Sequence, residues 1–575
     1  MKNKQAYCVI DDKFMVSVRE TDLDCPINKK RNSTMRRTES FMAAVGLGLL
    51  LATIPTLNAA TYYVDVNYDG FNGTADGTST RPYTNITAAS AAAAALTAAS
   101  DTFVVADGIY QSLNAGGAED FGTEGIGFTG LQYGANEIVR GGYVGQVNPG
   151  ASDMDWTTPT RVQRSSVVDL TDANARAFRR SGTGDLEWGL EVDGFTFRNG
   201  TVTNANYNGG VLGHATSDAP QHDGWYIYNC LFTNNATTGH GGAVCLNAQW
   251  NKSGIISNCT FIANRSTAGS GGALYVPFST FSGANAYAIR NCSFITNSAS
   301  LHGGAAYIVG NGKPIISVTD CIFSNNVAGT SGNGGAVYTH GHTYGGYLYF
   351  YRSVFSRNQA QSGSAVYSYA YARNMTLYFE NCLLANNRAT AANGYTVNKS
   401  GGAAWSGANP TGDDYGINMI NSTVADNTGG GLYSKWYYSV SYGRGGTIRL
   451  LNSIVASNGN YGVYYDSTSS GGSNGVPATV VNNNVYGHLT ANYGGTGPSP
   501  ISAVASITAD PKFIDRAISD YRLTWSSPCV NNGADFGIYT DLAGNTRPFN
   551  ASDTGFDMGC YETEPPPAGT LIMIR

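Results

Sequence analysis

Charge is scarce in this sequence. Only 13% of residues are Asp, Glu, Lys or Arg, about half the usual share, and no long basic run occurs among them. With a net charge of −6 and a pI near 5.7, a phosphate-neutralising surface is excluded, and nucleic-acid binding with it. Apolar runs long enough to cross a bilayer as a helix are also missing. The centre of the chain shows no helical periodicity and no leucine ladder, which argues against helical and leucine-rich repeats. Proline is modest at 18 residues, and with 73 glycines it makes up 91 of 575, about 16%. That lies below the roughly 25–30% of low-complexity chains.

What is present is aromatic and periodic. The chain has 37 Tyr and 22 Phe, enough apolar surface to bury a core. At 575 residues it calls for several domains or one extended repeat. Near the start, MRRTES (35–40), an apolar run ending at Leu57 and small residues at Ala59 and Ala60 describe a secretory signal peptide. Export is therefore expected, with residues 1–60 as leader and 1–34 as an overlong start. Eight cysteines follow it.

A seven-residue motif recurs: NCLFTNN (229–235), NCTFIAN (258–264), NCSFITN (291–297), DCIFSNN (320–326), RSVFSRN (352–358), NCLLANN (381–387), NSTVADN (421–427) and NSIVASN (452–458). GFTFRNG (194–200) begins the series and NNNVYGH (482–488) extends it. A second motif, GGAV at 241–244 and its relatives, follows most copies. Units near 30 residues, alternating with period two between Gly and Asn turns, fit coils of a parallel β-helix. Propeller blades, at roughly 40–45 residues, are longer. The expected fold is all-β: a right-handed parallel β-helix over 191–505, with an N-terminal cap and first coils at 61–190 and a C-terminal capping module at 506–575.

Stacking coils about 4.8 Å apart brings like residues into columns. Phe232, Phe261, Phe294, Phe323 and Phe355 form one inward column. Asn235, Asn264, Asn297, Asn326 and Asn358 form an amide ladder in a turn. Cys230, Cys259, Cys292, Cys321 and Cys382 form another inward column, read as small buried hydrophobes. A spacing of ~4.8 Å exceeds the ~3.5–4.5 Å that a disulfide needs between Cβ atoms, and Ser353, Ser422 and Ser453 fill the same column later.

The F-x-x-N and GGA-[ILV] combination resembles the repeat of polymorphic outer-membrane proteins, within the pectin-lyase-like β-helix superfamily. The ends resemble a related family of exported bacterial β-helix proteins. TYYVDVNYDGFNGTADGTSTRPYTNI (61–86), an Ala-rich helix at about 86–99 and DTFVVADGIY (101–110) are similar to its N-terminal cap. ADPKFID (509–515) and DLAGNTRPFNASDTGFDMGCYE (541–562) are similar to its closing module. The resemblance implies a β-helix, an exported or surface location, and a cap disulfide between Cys529 and Cys560. No autotransporter barrel follows the repeats in this sequence. The closing EPPPAGTLIMIR reads equally as a final strand or a sorting tail.

Candidate sites are few. Asp65, Asn67, Asp69, Gly70 and Asp76 match positions 1, 3, 5, 6 and 12 of a calcium loop, against the plainer reading of a turn. No cofactor is otherwise required. Lyases of this superfamily pair Asp-bound calcium with a basic residue, and hydrolases pair carboxylates. Asp413 and Asp414 lie in one insertion, and His214, Asp218, His222 and Asp223 lie in another. His340 and His342 sit on a third loop, and His240 precedes a GGA turn where His302, Ser270 and Asn333 occupy matching positions. Each reads first as a loop or turn residue. Tyr347, Tyr349 and Tyr351, then Tyr367, Tyr369 and Tyr371, then Trp436, Tyr437, Tyr438 and Tyr442 suggest aromatic stripes able to meet sugars or a protein. The expectation is an exported or surface-associated protein that binds polysaccharide or matrix without catalysis. A polysaccharide lyase or glycoside hydrolase, and a passive envelope protein, stand as alternatives.

Overall fold

The computed structural model describes residues 7–9, 15–17, 59–96, 101–112, 117, 119, 126–128, 136–158, 161–180, 188–203, 208–213, 223–246, 253–278, 286–310, 315–341, 346–370, 375–401, 415–435, 437–439, 443–467, 478–497, 501–549 and 555–565. Two compact units result, Met1–Thr56 and Leu57–Arg575. In the first, Tyr7–Val9 pairs antiparallel with Met15–Ser17. The remaining expected leader residues up to 58 lie outside the described residues.

The second unit is a parallel β-helix. Its first sheet has 14 strands, from Thr61–Val64 to Ser502–Val504, and two further sheets have 12 strands each. Along the second sheet the register matches Phe197 to Phe232, Phe261, Phe294, Phe323, Phe355, Leu384, Val424, Val455 and Val485. All ten side chains are buried. From Phe232 to Phe355 the rings stack at 4.7–4.9 Å between centroids, with planes within 6° of parallel. The strand spacing itself sets this distance, so each ring faces its neighbour without a void.

The turn after each of these strands is closed by asparagine. Asn235, Asn264, Asn297, Asn326, Asn358, Asn387, Asn427 and Asn458 are buried. Each of the first seven donates from Nδ2 to Oδ1 of the next, at 2.7–3.0 Å. The residue before each of them adopts positive φ: Asn234, Ala263, Thr296, Asn325, Arg357, Asn386, Asp426 and Ser457. The first motif position does the same at Asn229, Asn258, Asn291, Asp320, Arg352, Asn381, Asn421 and Asn452. Asn and Asp tolerate this left-handed conformation better than other side chains, which accounts for their recurrence there.

At the start of the stack the helix Ile86–Leu96 buries Ile86 and Ala89 against Tyr62 and Val64. Its first amides donate to the Glu119 carboxylate, from Ile86 at 2.6 Å and Thr87 at 3.0 Å. At the other end, Ile507 bridges Asn484 of the last strand of the second sheet, and described residues of the expected capping segment, 506–575, pack on the outer side of that sheet. Tyr521 and Cys560 pack on Leu383, Ala385 and Ala425, while Leu523, Cys529 and Met558 pack on Ile454 and Ala456. Cys560 N donates to Thr423 Oγ1 at 3.2 Å, and Gly559 N to Asn452 O at 2.7 Å. The physical reason lies in the outward positions of these late coils. They include Leu383, Ala385, Ala425, Ile454 and Ala456, and apolar surface of that kind needs a cover. Residues 566–575 lie outside the described residues.

The same packing corrects the expected disulfide. Cys529 and Cys560 are both free, buried thiols and belong to different clusters. Burial pushes the thiol of Cys529 up to about 11 and that of Cys560 up to about 12.

Candidate binding face

His214, Asp218, His222, His342, Asp413 and Asp414 lie outside the described residues, as do Tyr371, Trp436 and Tyr442. Asp223 opens the strand Asp223–Tyr228 and pairs in register with Trp188. His340 sits in the third sheet between Val309 and Tyr369, its ring 5.4 Å from that of Tyr369.

In the candidate calcium loop the carboxylates accept hydrogen bonds from the chain. Asp65 is buried, and its oxygens accept from Asn67 N at 2.9 Å and Gln146 N at 2.5 Å. Asp69 accepts from Phe71 N and Gly150 N. Asp76 accepts from Thr78 and pairs with Arg81. Asn67 contributes its backbone amide to Asp65. These carboxylates tie separate turns and the 145–150 loop together. Among the described residues no three His, Cys, Asp or Glu side chains are grouped to hold a metal.

His240 and His302 have a definite structural task in the turn before the third sheet. His240 N donates to Asn208 Oδ1 at 2.8 Å, and Ser270 N donates to His240 Nδ1 at 2.9 Å. His302 N donates to Ser270 Oγ at 3.2 Å, and Asn333 N to His302 Nδ1 at 3.1 Å. Each side chain thus accepts the next coil's amide, a second ladder parallel to the asparagines. Nδ1 must be unprotonated to accept, and burial holds both imidazoles below their ordinary pKa.

Several ionised groups are matched with one another across coils. Arg140 meets Glu191 and Arg161 meets Asp193, both at 2.8 Å. Arg198 meets Asp169 at 2.8 Å and Arg352 meets Asp320 at 2.7 Å. Paired in this way, they brace neighbouring coils.

The longest outward aromatic feature lies on the third sheet. Tyr275, Tyr307, Tyr338 and Tyr367 are in register on successive coils; Asn398 takes the next place, and Tyr433 and Tyr464 resume the column. Neighbouring rings stand 5.4–5.7 Å apart. His240 lies 4.7 Å from Tyr275, and His302 4.4 Å from Tyr338. Tyr338 is buried and the other five are half-buried. Since most neighbours in the column lie within 20° of parallel, the rings spend their faces on each other. Burial raises the phenol pKa throughout the column where a shift is resolved, to about 12 at Tyr433, so these hydroxyls keep their protons. A second cluster on the first sheet joins Tyr347, Tyr349, Tyr351 and Tyr378, with Tyr349 and Tyr378 stacked at 4.6 Å.

Two buried ionisable groups carry no sequence signal. Lys399 is fully buried in the inward column between Ser368 and Ser434; its Nζ donates to Ser400 O at 3.1 Å, and burial lowers its pKa to about 7. Glu137 is buried beside Asp101, and burial followed by that carboxylate raises its pKa to about 8. The inward Cys column is buried too, and each sulfur contacts a carbonyl two residues back, as Cys292 does Arg290 O at 3.1 Å. A periodic pattern identifies a column but does not show which member is ionisable and unpaired.

A model of the Chlamydia polymorphic membrane protein repeat matches residues 229–247 and 320–340. No curated protein matches the chain. Among solved structures, the chain is similar to the A-module of mannuronan C-5 epimerase AlgE6 from Azotobacter vinelandii at 13% identity, over 74% of this chain and 94% of that one, with a TM-score of 0.35. It is also similar to the pectate lyase Pel9A at 12% identity, over 88% and 97%, with a TM-score of 0.31. A rhamnogalacturonan lyase is similar at 12% identity, over 80% and 91%, with a TM-score of 0.27. No helix among the described residues is long and apolar enough to cross a membrane.

Proposed function

We propose that this is an exported, surface-associated β-helix that binds extended polysaccharide through the tyrosine column of its third sheet, without catalysis. The observation that carries the reading is the column itself: six tyrosines on one outward line, interrupted once by Asn398, with most neighbouring rings stacked. A row of phenols repeating on successive coils suits a ligand whose own hydroxyls repeat along a chain, since hydrogen bonds then fall in step. Stacking removes much of the rotamer freedom before binding, which lowers the entropic cost of capture. Two further observations support the reading: the repeat is one named for membrane proteins, and the outer charges described above are spent in pairs.

The test is a panel of neutral and uronate polysaccharides, read for binding and cleavage together. Tyr307→Phe combined with Tyr367→Phe keeps the stack and deletes two hydroxyls. It is expected to weaken binding by about tenfold or more, each hydrogen bond being worth about 0.5–1.5 kcal/mol. Unchanged affinity in that variant overturns the site. Unsaturated products absorbing in the ultraviolet, or new reducing ends, replace the non-catalytic reading with the lyase or hydrolase one.

A further inference from the structure

The two ends of the coil stack differ. At the start, the outer edge of Thr61–Val64 is already satisfied: Tyr63 N donates to Gly77 O at 3.0 Å, Asp65 N to Tyr83 O at 2.8 Å, and Tyr83 N back to Tyr63 O at 2.9 Å. The helix Ile86–Leu96 lies over the same region. At the finish, Ser502–Val504 and Ala491–Thr496 are the last strands of the first and third sheets, and among the described residues no strand pairs with their outer sides. The second sheet ends at Asn484–Tyr486, followed by a single bridge to Ile507. Ser502, Ala503 and Val504 are all exposed, and Leu489, in the turn before Ala491–Thr496, is 82% exposed. Among the described residues the closing segment packs on the flank, and no strand of it pairs with this end.

This end also lacks charge. Residues 467–509 contain no Asp, Glu, Lys or Arg. At the chain's own frequency of 13%, a stretch of that length would carry about five or six. The change is visible column by column. Lys435 and Asp466 are followed in register by Thr496, and Arg449 is followed by Thr479 and Ser502. The one titratable imidazole, His488, is bonded at both nitrogens, to Asn458 N at 3.1 Å and Val455 O at 3.0 Å. Exposed strand edges are ordinarily guarded by lysines or other charges, because open backbone groups recruit further strands. Here the guard is missing.

We infer that the open end is a self-association surface on which two copies of this chain meet end to end. A two-fold axis sets like edges against each other in antiparallel fashion, so Ser502–Val504 of one copy lies against the last coil of its partner. Two ends of a chain of net charge −6 approach without repulsion because the last coil is neutral. The covered start blocks head-to-tail growth, so assembly closes at two copies.

The experiment is sedimentation velocity with small-angle scattering on the full chain over a concentration series. The wild type should pass from one to two copies, with the longest dimension close to doubling. Val504→Lys and, separately, Ser502→Lys should weaken association by at least tenfold with circular dichroism and melting temperature unchanged, since both residues are exposed. Mixing Val504→Lys with Val504→Glu should restore pairing as a heterodimer. A wild type that stays single at every concentration, growth beyond two copies, or pairing indifferent to both lysines would each overturn the inference. Failure here leaves the tyrosine column untouched, since the two rest on different residues.

Discussion

Replacing Asn326 by alanine interrupts the amide ladder at its middle. Asn326 Nδ2 donates to Phe294 O and to Asn358 Oδ1, both at 2.9 Å. Its Oδ1 accepts from Asn297 N and Asn297 Nδ2, both at 3.0 Å. Two of these partners keep a second bond: Asn297 Nδ2 still reaches Phe261 O, and Asn358 Oδ1 still accepts from Asn326 N. Asn297 N loses the only acceptor shown for it, and Phe294 O loses its side-chain donor, at buried positions of the turn. At about 1–3 kcal/mol for each buried group left unmet, plus the vacated volume, the loss is about 3–5 kcal/mol. Asn326→Asp keeps the acceptors and removes the donors, adding a buried charge. It should cost at least as much at pH 7 and recover part of the loss as pH falls and the carboxyl regains a proton. Urea unfolding followed by circular dichroism reads the change from the midpoint, provided the slope holds. A loss below about 1 kcal/mol for the alanine variant would refute the view that the ladder fixes the turn.

Other expectations follow the same logic. Lys399 has a folded pKa lowered to about 7, so stability present above pH 10.5 is lost as pH falls toward 7. Lys399→Met should remove that dependence and raise stability at pH 7 by up to about 4–5 kcal/mol, visible in melts across pH. For Glu137, raised to about 8, the sign reverses: stability present below pH 4.5 is lost as pH rises through 8, and Glu137→Gln should flatten the alkaline side of the same profile. Thr296 holds a φ of 54° that a β-branched residue resists, so Thr296→Asn should gain about 1 kcal/mol in urea unfolding. Cys529 and Cys560 should alkylate in guanidinium without reductant and resist alkylation when folded. A peptide pair joined through them would disprove the two-cluster packing.

The columns were legible because the physics behind them is local and repetitive. A strand spacing of about 4.8 Å turns a 30-residue period into contact between like residues, so Phe232 to Phe355 and Asn235 to Asn358 could be read from spacing alone. Asn and Asp at the first motif position mark left-handed turns for the same reason, and His240 and His302 could be placed in a turn because they share a column with Ser270 and Asn333. What the period could not carry was anything non-repeating. Leu383, Ala385, Ala425 and Ile454 are written in the chain, but only tertiary contact shows that Tyr521, Leu523 and Cys560 fold back to cover them. For that reason a module expected at the end sits on the flank, and two cysteines expected to join lie apart. The stripes expected from the sequence included Tyr367 but not Tyr275, Tyr307, Tyr338, Tyr433 or Tyr464; these fall in one column only through the register between coils. The sequence by itself determined the coil, its period and its buried ladders, since those follow from nearest-neighbour stacking. The tertiary structure decided which edges and faces stay open, because that depends on where distant segments of the same chain come to rest.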